Sequence, residues 1–145
     1  MSQPSHFPSP EDVESAFYEA LAKGDVDALM ATWAEDEDIV CVHPTGVRID
    51  DINLVRESWR SIFAASALRV EAELVGHWQG MLLAVHHLTE TLYLGDNPEG
   101  QGVLHVTHVF ARGAHGWRLV NRHASAANDD QEADDMPEPV SHTLH

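Results

Sequence analysis

The hydrophobic period changes once along this chain, and that change dictates the architecture. Up to Phe63, the short run Ile39–His43 apart, the apolar residues recur at intervals of three and four, the mark of helices with one buried stripe. From Ala67 they fall in four long segments, Leu68–Trp78, Met81–Leu94, Val103–Arg112 and Trp117–Ala126, which read as strands. Between them stand Gln79-Gly80, the run Gly95-Asp96-Asn97-Pro98-Glu99-Gly100, and Gly113–Gly116, all with turn chemistry. Helices first and strands afterwards make an α+β domain. Strands this long twist and curl, so three helices are expected on the concave face of a strongly curved antiparallel sheet. The outer face then needs a cover, and a second copy of the chain is the simplest one.

The helix boundaries carry their own signals. Ser9 can cap, Pro10 suits a first helical position, and Glu11 and Asp12 favour the positive end of the helix dipole. Val13, Phe17, Ala20 and Leu21 form the stripe, and Lys23-Gly24 closes the helix. Asp25 caps a shorter helix with Val26, Leu29, Met30 and Trp33 on one side. Ile39–His43 reads as a short buried strand stopped by Pro44, and Thr45–Asp50 as a loop. Asp51 then caps a third helix with Val55, Trp59, Ile62 and Phe63 at helical spacing.

One domain, residues 9–127, is flanked by an aperiodic arm, 1–8, and an acidic tail, 128–145. The whole chain has 145 residues, which fits a single domain. Lys23 and seven arginines face 24 acids, giving −16, so the basic face that nucleic acid binding requires is lacking. Asp129, Asp130, Glu132, Asp134, Asp135 and Glu138 crowd into the tail, where disorder is expected. Lone Cys41 excludes an internal disulfide and reads as an inert buried thiol. No signal peptide is visible at the start and no run approaches the ~18 apolar residues that span a bilayer, so a cytoplasmic protein without a membrane partner is expected.

The last hairpin suggests where chemistry sits. If Arg112 faces Trp117, the pairs Phe110–Leu119, His108–Asn121 and Val106–His123 follow. His108, Asn121 and His123 then share an apolar face, as the polar groups of a ligand pocket do, and Arg122 points outward. A one-residue slip would exchange the faces. The eleven histidines raise the question of a metal. His105 and His108 diverge on a strand, as do His86 and His87. A site would have to join His43, His108 and His123 across three strands, with Glu90, so half-buried, hydrogen-bonded histidines are the favoured reading. Neither a metal nor a cofactor is expected. Glu90, between Thr89 and Thr91, can face either the core or solvent. Nucleophile elbow, phosphate loop and dinucleotide fingerprint are all missing.

Three phrases carry a family resemblance. Phe17…Gly24-Asp25…Trp33-Ala34 leads into His43-Pro44-Thr45-Gly46 and a helix ending Trp59…Ile62-Phe63. Thr107-His108-Val109-Phe110-Ala111-Arg112 and Gly116-Trp117-Arg118-Leu119-Val120-Asn121-Arg122-His123-Ala124-Ser125 close the domain. From Val13 to Ala126 the chain resembles the SnoaL-like branch of the nuclear-transport-factor-2-like superfamily. The resemblance implies a cone-shaped cavity between helices and concave sheet, and commonly a homodimer through the outer sheet face. It does not imply one activity, since relatives include ketosteroid isomerase, polyketide cyclases, dehydratases and a kinase association domain. The isomerase's tyrosine-plus-aspartic-acid pair has no counterpart here.

Two functions are therefore expected to compete. In the first, a pocket lined by Trp33, His43, Trp59, Tyr93 and Asn121 binds a small hydrophobic or carbonyl-containing molecule. His123 or His108 would then be its acid/base, since imidazole exchanges protons near neutral pH. In the second, the domain is a non-catalytic dimeric module with a vestigial cavity.

Overall fold

The structure, a computed structural model, describes residues 6–35, 38–65 and 67–127. The acidic tail and the first five residues of the arm lie outside the described residues. Three helices, α1 (Pro10–Lys23), α2 (Val26–Met30) and α3 (Ile52–Ala65), accompany six strands. The strands are β1 (Val40–Val42), β2 (Arg48–Ile49), β3 (Leu68–Gln79), β4 (Leu83–Leu94), β5 (Gly102–Gly113) and β6 (Gly116–Ala126). Strand β2 lies within the segment expected to be a loop, where it pairs antiparallel with β1.

Local chemistry explains the helix ends. The Ser9 side chain accepts from the Asp12 backbone N–H, and Asp25 does the same for Ala28. At Gly24 the backbone turns left-handed (φ 64°), and its N–H and that of Asp25 satisfy the last carbonyls of α1. Helix α2 ends sooner than its apolar stripe suggests. Trp33 lies beyond it, bridged to Leu119 of β6.

The sheet runs β2-β1-β6-β5-β4-β3. All pairs are antiparallel except β1 with β6, so the sheet is mixed. Its inner face is covered by the helices, with Ala84, Leu88, Val106, Phe110 and Leu119 buried. Val13, Phe17 and Leu21 of α1 and Val55 and Trp59 of α3 complete one core with Ala84, Phe110 and Leu119, while Leu88 and Val106 form a second, smaller cluster with Leu104 and Ala124. Phe7 caps one end. Its carbonyl accepts from Trp117, and Gly116 (φ 88°) lies against its backbone so closely that a Cβ there would stand 2.3 Å from the carbonyl oxygen.

One irregularity decides the functional layout. Arg112–Trp117 and Phe110–Leu119 pair as expected, but Val109 then faces Asn121, leaving Val120 as an extra residue. This β-bulge shifts the register by one, so His108 faces Arg122 and Val106 faces Ala124. The expected pairs His108–Asn121 and Val106–His123 do not form. Arg122 is inside and His123 outside, the reverse of the expectation.

Candidate functional site

Beneath α1 the inner face carries an uncommon density of polar groups. Strand alternation brings His86 and Glu90 of β4 and His108 of β5 to that face, and the bulge adds Arg122 of β6. Helix α1 lays Glu14 and Tyr18, one turn apart, over them. All of these except Tyr18, which is half-buried, are buried.

The groups form one connected network. Glu14 binds two imidazoles, with Oε1 2.9 Å from His86 Nδ1 and Oε2 2.9 Å from His108 Nδ1. Arg122 Nη1 lies 2.9 Å from His108 Nε2. A guanidinium only donates, so Nε2 accepts and the His108 proton resides on Nδ1, directed at Glu14. The same guanidinium grips Glu90 with both terminal nitrogens, at 2.8 and 3.0 Å. Tyr18 donates its hydroxyl to Glu90 Oε2 at 2.5 Å. Phe17 and Trp59, themselves packed edge-on, both lie against the cation, with ring centres 5.1 and 5.6 Å from the Arg122 Cζ.

Burial and partners work against each other in setting the protonation of these groups. Burial tends to raise Glu14 and Glu90, but the His108 and His86 hydrogen bonds and the Arg122 charge respectively hold both below the usual carboxylate range. Burial keeps His108 below the ordinary imidazole value; the Glu14 hydrogen bond opposes this, while the Arg122 charge adds to it. Burial, and then the Glu90 charge, push Tyr18 up. At neutral pH the network holds ionised Glu14, Glu90 and Arg122 around a neutral His108.

Beside it lie other expected residues. His43 Nε2 is 2.9 Å from Ser58 Oγ, whose own proton goes to the Val55 carbonyl, so His43 donates. Burial, and then Arg122, hold His43 below the ordinary value. Its ring packs edge-on against Trp59. Trp33 is buried in the apolar core. Burial pushes the Cys41 thiol up to about 11 against the pull of Arg122, so it is an inert thiol.

Of the seven expected site residues, Trp33, His43, Trp59 and His108 lie inside. Tyr93, Asn121 and His123 do not join them. Tyr93 stands on the outer face, under the Arg69 guanidinium and 3.3 Å from Glu71 Oε1. Asn121 follows the bulge and faces Val109, and His123 is exposed opposite Thr107. Glu14, Tyr18, His86 and Arg122 were not expected at all. Glu14, Phe17, Tyr18 and Leu21 recur at helical spacing, so the α1 pair was recoverable as a stripe containing polar members. Among the described residues no group of three His, Cys, Asp or Glu is placed to hold a metal ion.

Comparison with known proteins gives a family and a fold. The model of the SnoaL-like domain matches residues 11–129. A Thiobacillus denitrificans structure, provisionally named a calcium/calmodulin-dependent protein kinase type II association domain, is 33% identical, with a TM-score of 0.80 over 85% of this chain and 98% of that one. A provisionally named dehydratase of the NTF2-like family from Streptomyces avermitilis is 28% identical, with a TM-score of 0.70 over 81% and 92%. A ketosteroid isomerase-like protein from Erwinia carotovora shares the fold at 17% identity, with a TM-score of 0.69 over 82% and 94%. No curated protein matches the sequence. Among the described residues no helix is long and apolar enough to cross a membrane.

Proposed function

The chain belongs to the SnoaL-like domain family, and on that premise we propose that it is a non-catalytic self-association module, pairing its outer sheet face with that of a second copy. One observation carries the reading. His108, the imidazole best placed for acid–base work inside the domain, is 0% exposed and has both ring nitrogens occupied, by Glu14 and Arg122. General acid–base catalysis needs a nitrogen within reach of a substrate proton. The other expected partner in proton transfer, His123, is on the far side of the sheet.

The outer face supports pairing. Its middle holds Val85, His87, Thr89 of β4, His105, Thr107, Val109 of β5 and Asn121, His123, Ser125 of β6. No carboxylate, lysine or arginine is among them. On a chain of net charge −16, this middle free of carboxylates, with Glu71 and Glu73 confined to the edge strand β3, is where two copies meet with least repulsion. Trp78, 59% exposed, adds the aromatic surface that interface cores favour. The likeness to a structure named as an association domain points the same way.

Light scattering on the eluting full chain is expected to give a dimer mass at micromolar concentration. Val109→Asp and His123→Glu are expected to give monomers with unchanged far-ultraviolet circular dichroism. A wild-type monomer, or a dimer indifferent to both changes, overturns the reading.

A further inference from the structure

The arginines of this acidic chain are not evenly spread. Where the β5–β6 turn meets the end of α2 and the first turn of α3, the surface opens into a groove of about 990 Å³. Met30, Trp33 and Ile52 give it an apolar lining, and Arg56, Arg112 and Arg118 also line it. Three of the chain's eight cationic side chains therefore converge on one cavity, in a protein with 24 acids.

Charge bookkeeping within the groove leaves one cation uncompensated. Arg56 is paired with Asp27 at 2.6 Å, and Glu35 is the carboxylate that acts on Arg118. The Arg112 side chain makes no hydrogen bond or ion pair among the described residues. Arg118 is held in place, donating to the His115 and Trp117 carbonyls and stacking 4.8 Å from the Phe7 ring. Burial lowers its affinity for its proton, and Glu35 opposes this.

We propose that this groove binds an organic monocarboxylate with an apolar body, its charge beside Arg112 and Arg118 and its body on Met30, Trp33 and Ile52. The volume lies at the upper end of the usual small-molecule range, roughly 300–1,000 Å³. A single negative charge matches the one unpaired guanidinium. A dianion is disfavoured because Asp27 and Glu35 stand in the same groove. A neutral molecule would leave Arg112 without a partner. The site is separate from the outer sheet face, so it is independent of the self-association reading.

The test uses the full chain with 2-naphthoate, octanoate, 2-naphthamide and a naphthalene dicarboxylate, followed by calorimetry and two-dimensional amide and indole NMR. Both monocarboxylates are expected to bind and to shift the Trp33 indole and the Gly113–Arg118 amides. The neutral amide and the dicarboxylate are expected to bind at least about tenfold more weakly. Arg112→Gln is expected to weaken 2-naphthoate about tenfold and Arg112→Glu to abolish it, since losing a charged hydrogen-bonding partner has effects of this order. Both variants keep the oligomeric state of the parent. Absence of binding at millimolar monocarboxylate, equal affinity for the amide, or undiminished affinity in Arg112→Glu would each overturn the proposal.

Discussion

The two faces of one sheet solve opposite problems with the same residue types. His86 and His87 are neighbours in the chain, yet one lies against Glu14 in the core and the other on the open face beside Thr107. His105 and His108 divide the same way. On the inner face every ionised group is matched, Glu90 by Arg122 and Tyr18, and Glu14 by two imidazoles. On the outer face the middle positions are neutral or apolar and ask for no partner inside the chain. Polarity in the core thus serves the fold, while the plainness of the outside leaves it open to another molecule.

The sharpest way to break this contrast is to remove one charge from the core. Arg122→Met leaves Glu90 buried without its cation, and uncompensated buried charges cost about 3–5 kcal/mol. Urea unfolding should show that loss, and adding Glu90→Leu should recover most of it. A single variant as stable as the parent would mean that Glu90 finds water, and that the inner face is not sealed.

Acid should separate the faces more gently. His108 and His43 are depressed when folded, so protons bind more readily to the unfolded chain as pH falls below about 6.5, and stability declines. Glu14 and Glu90 are also depressed; their contribution is full above the unfolded carboxylate value, near 4.5, and is lost as pH falls through their folded values. Both effects have one sign. The melting temperature should fall between pH 7 and 5 and fall again below 4.5, with the upper step reduced in His43→Gln. A melting temperature that rises on acidification to pH 5 would contradict the neutral, buried state of His108.

The smallest effect belongs outside. A Cβ on Gly80 would come within 2.9 Å of the Trp78 indole, whose exposed ring can swing away. Gly80→Ala should therefore change stability by no more than about 0.5 kcal/mol, as exposed substitutions usually do, while altering Trp78 fluorescence. A larger loss would show that the indole is held in the monomer.

Much of the fold was legible because it rests on local chemistry. Ser9 and Asp25 cap the helices they announce, and the four-segment alternation from Ala67 becomes the four long strands. The turn register was readable from Arg112–Trp117 as far as Leu119. The β6 part of the candidate site was not legible, for a single reason. The bulge at Val120 leaves only a faint mark, the adjacent apolar pair Leu119-Val120, which a regular strand covered on both faces also shows, and every parity beyond it is inverted. Glu90 was ambiguous because its partner was placed on the wrong face. Only the register decides whether a carboxylate between two threonines meets water or a guanidinium.

That extra residue also determines which kind of genetic change this domain tolerates. Replacing Val120 by another β-branched residue keeps the parity of the strand, and with it the placing of Arg122. Losing its codon would exchange inside and outside from Asn121 to Ala126, sending His123 toward Glu90 and Arg122 into solvent. In this hairpin the reading of positions, more than the identity of any one of them, is what inheritance must preserve.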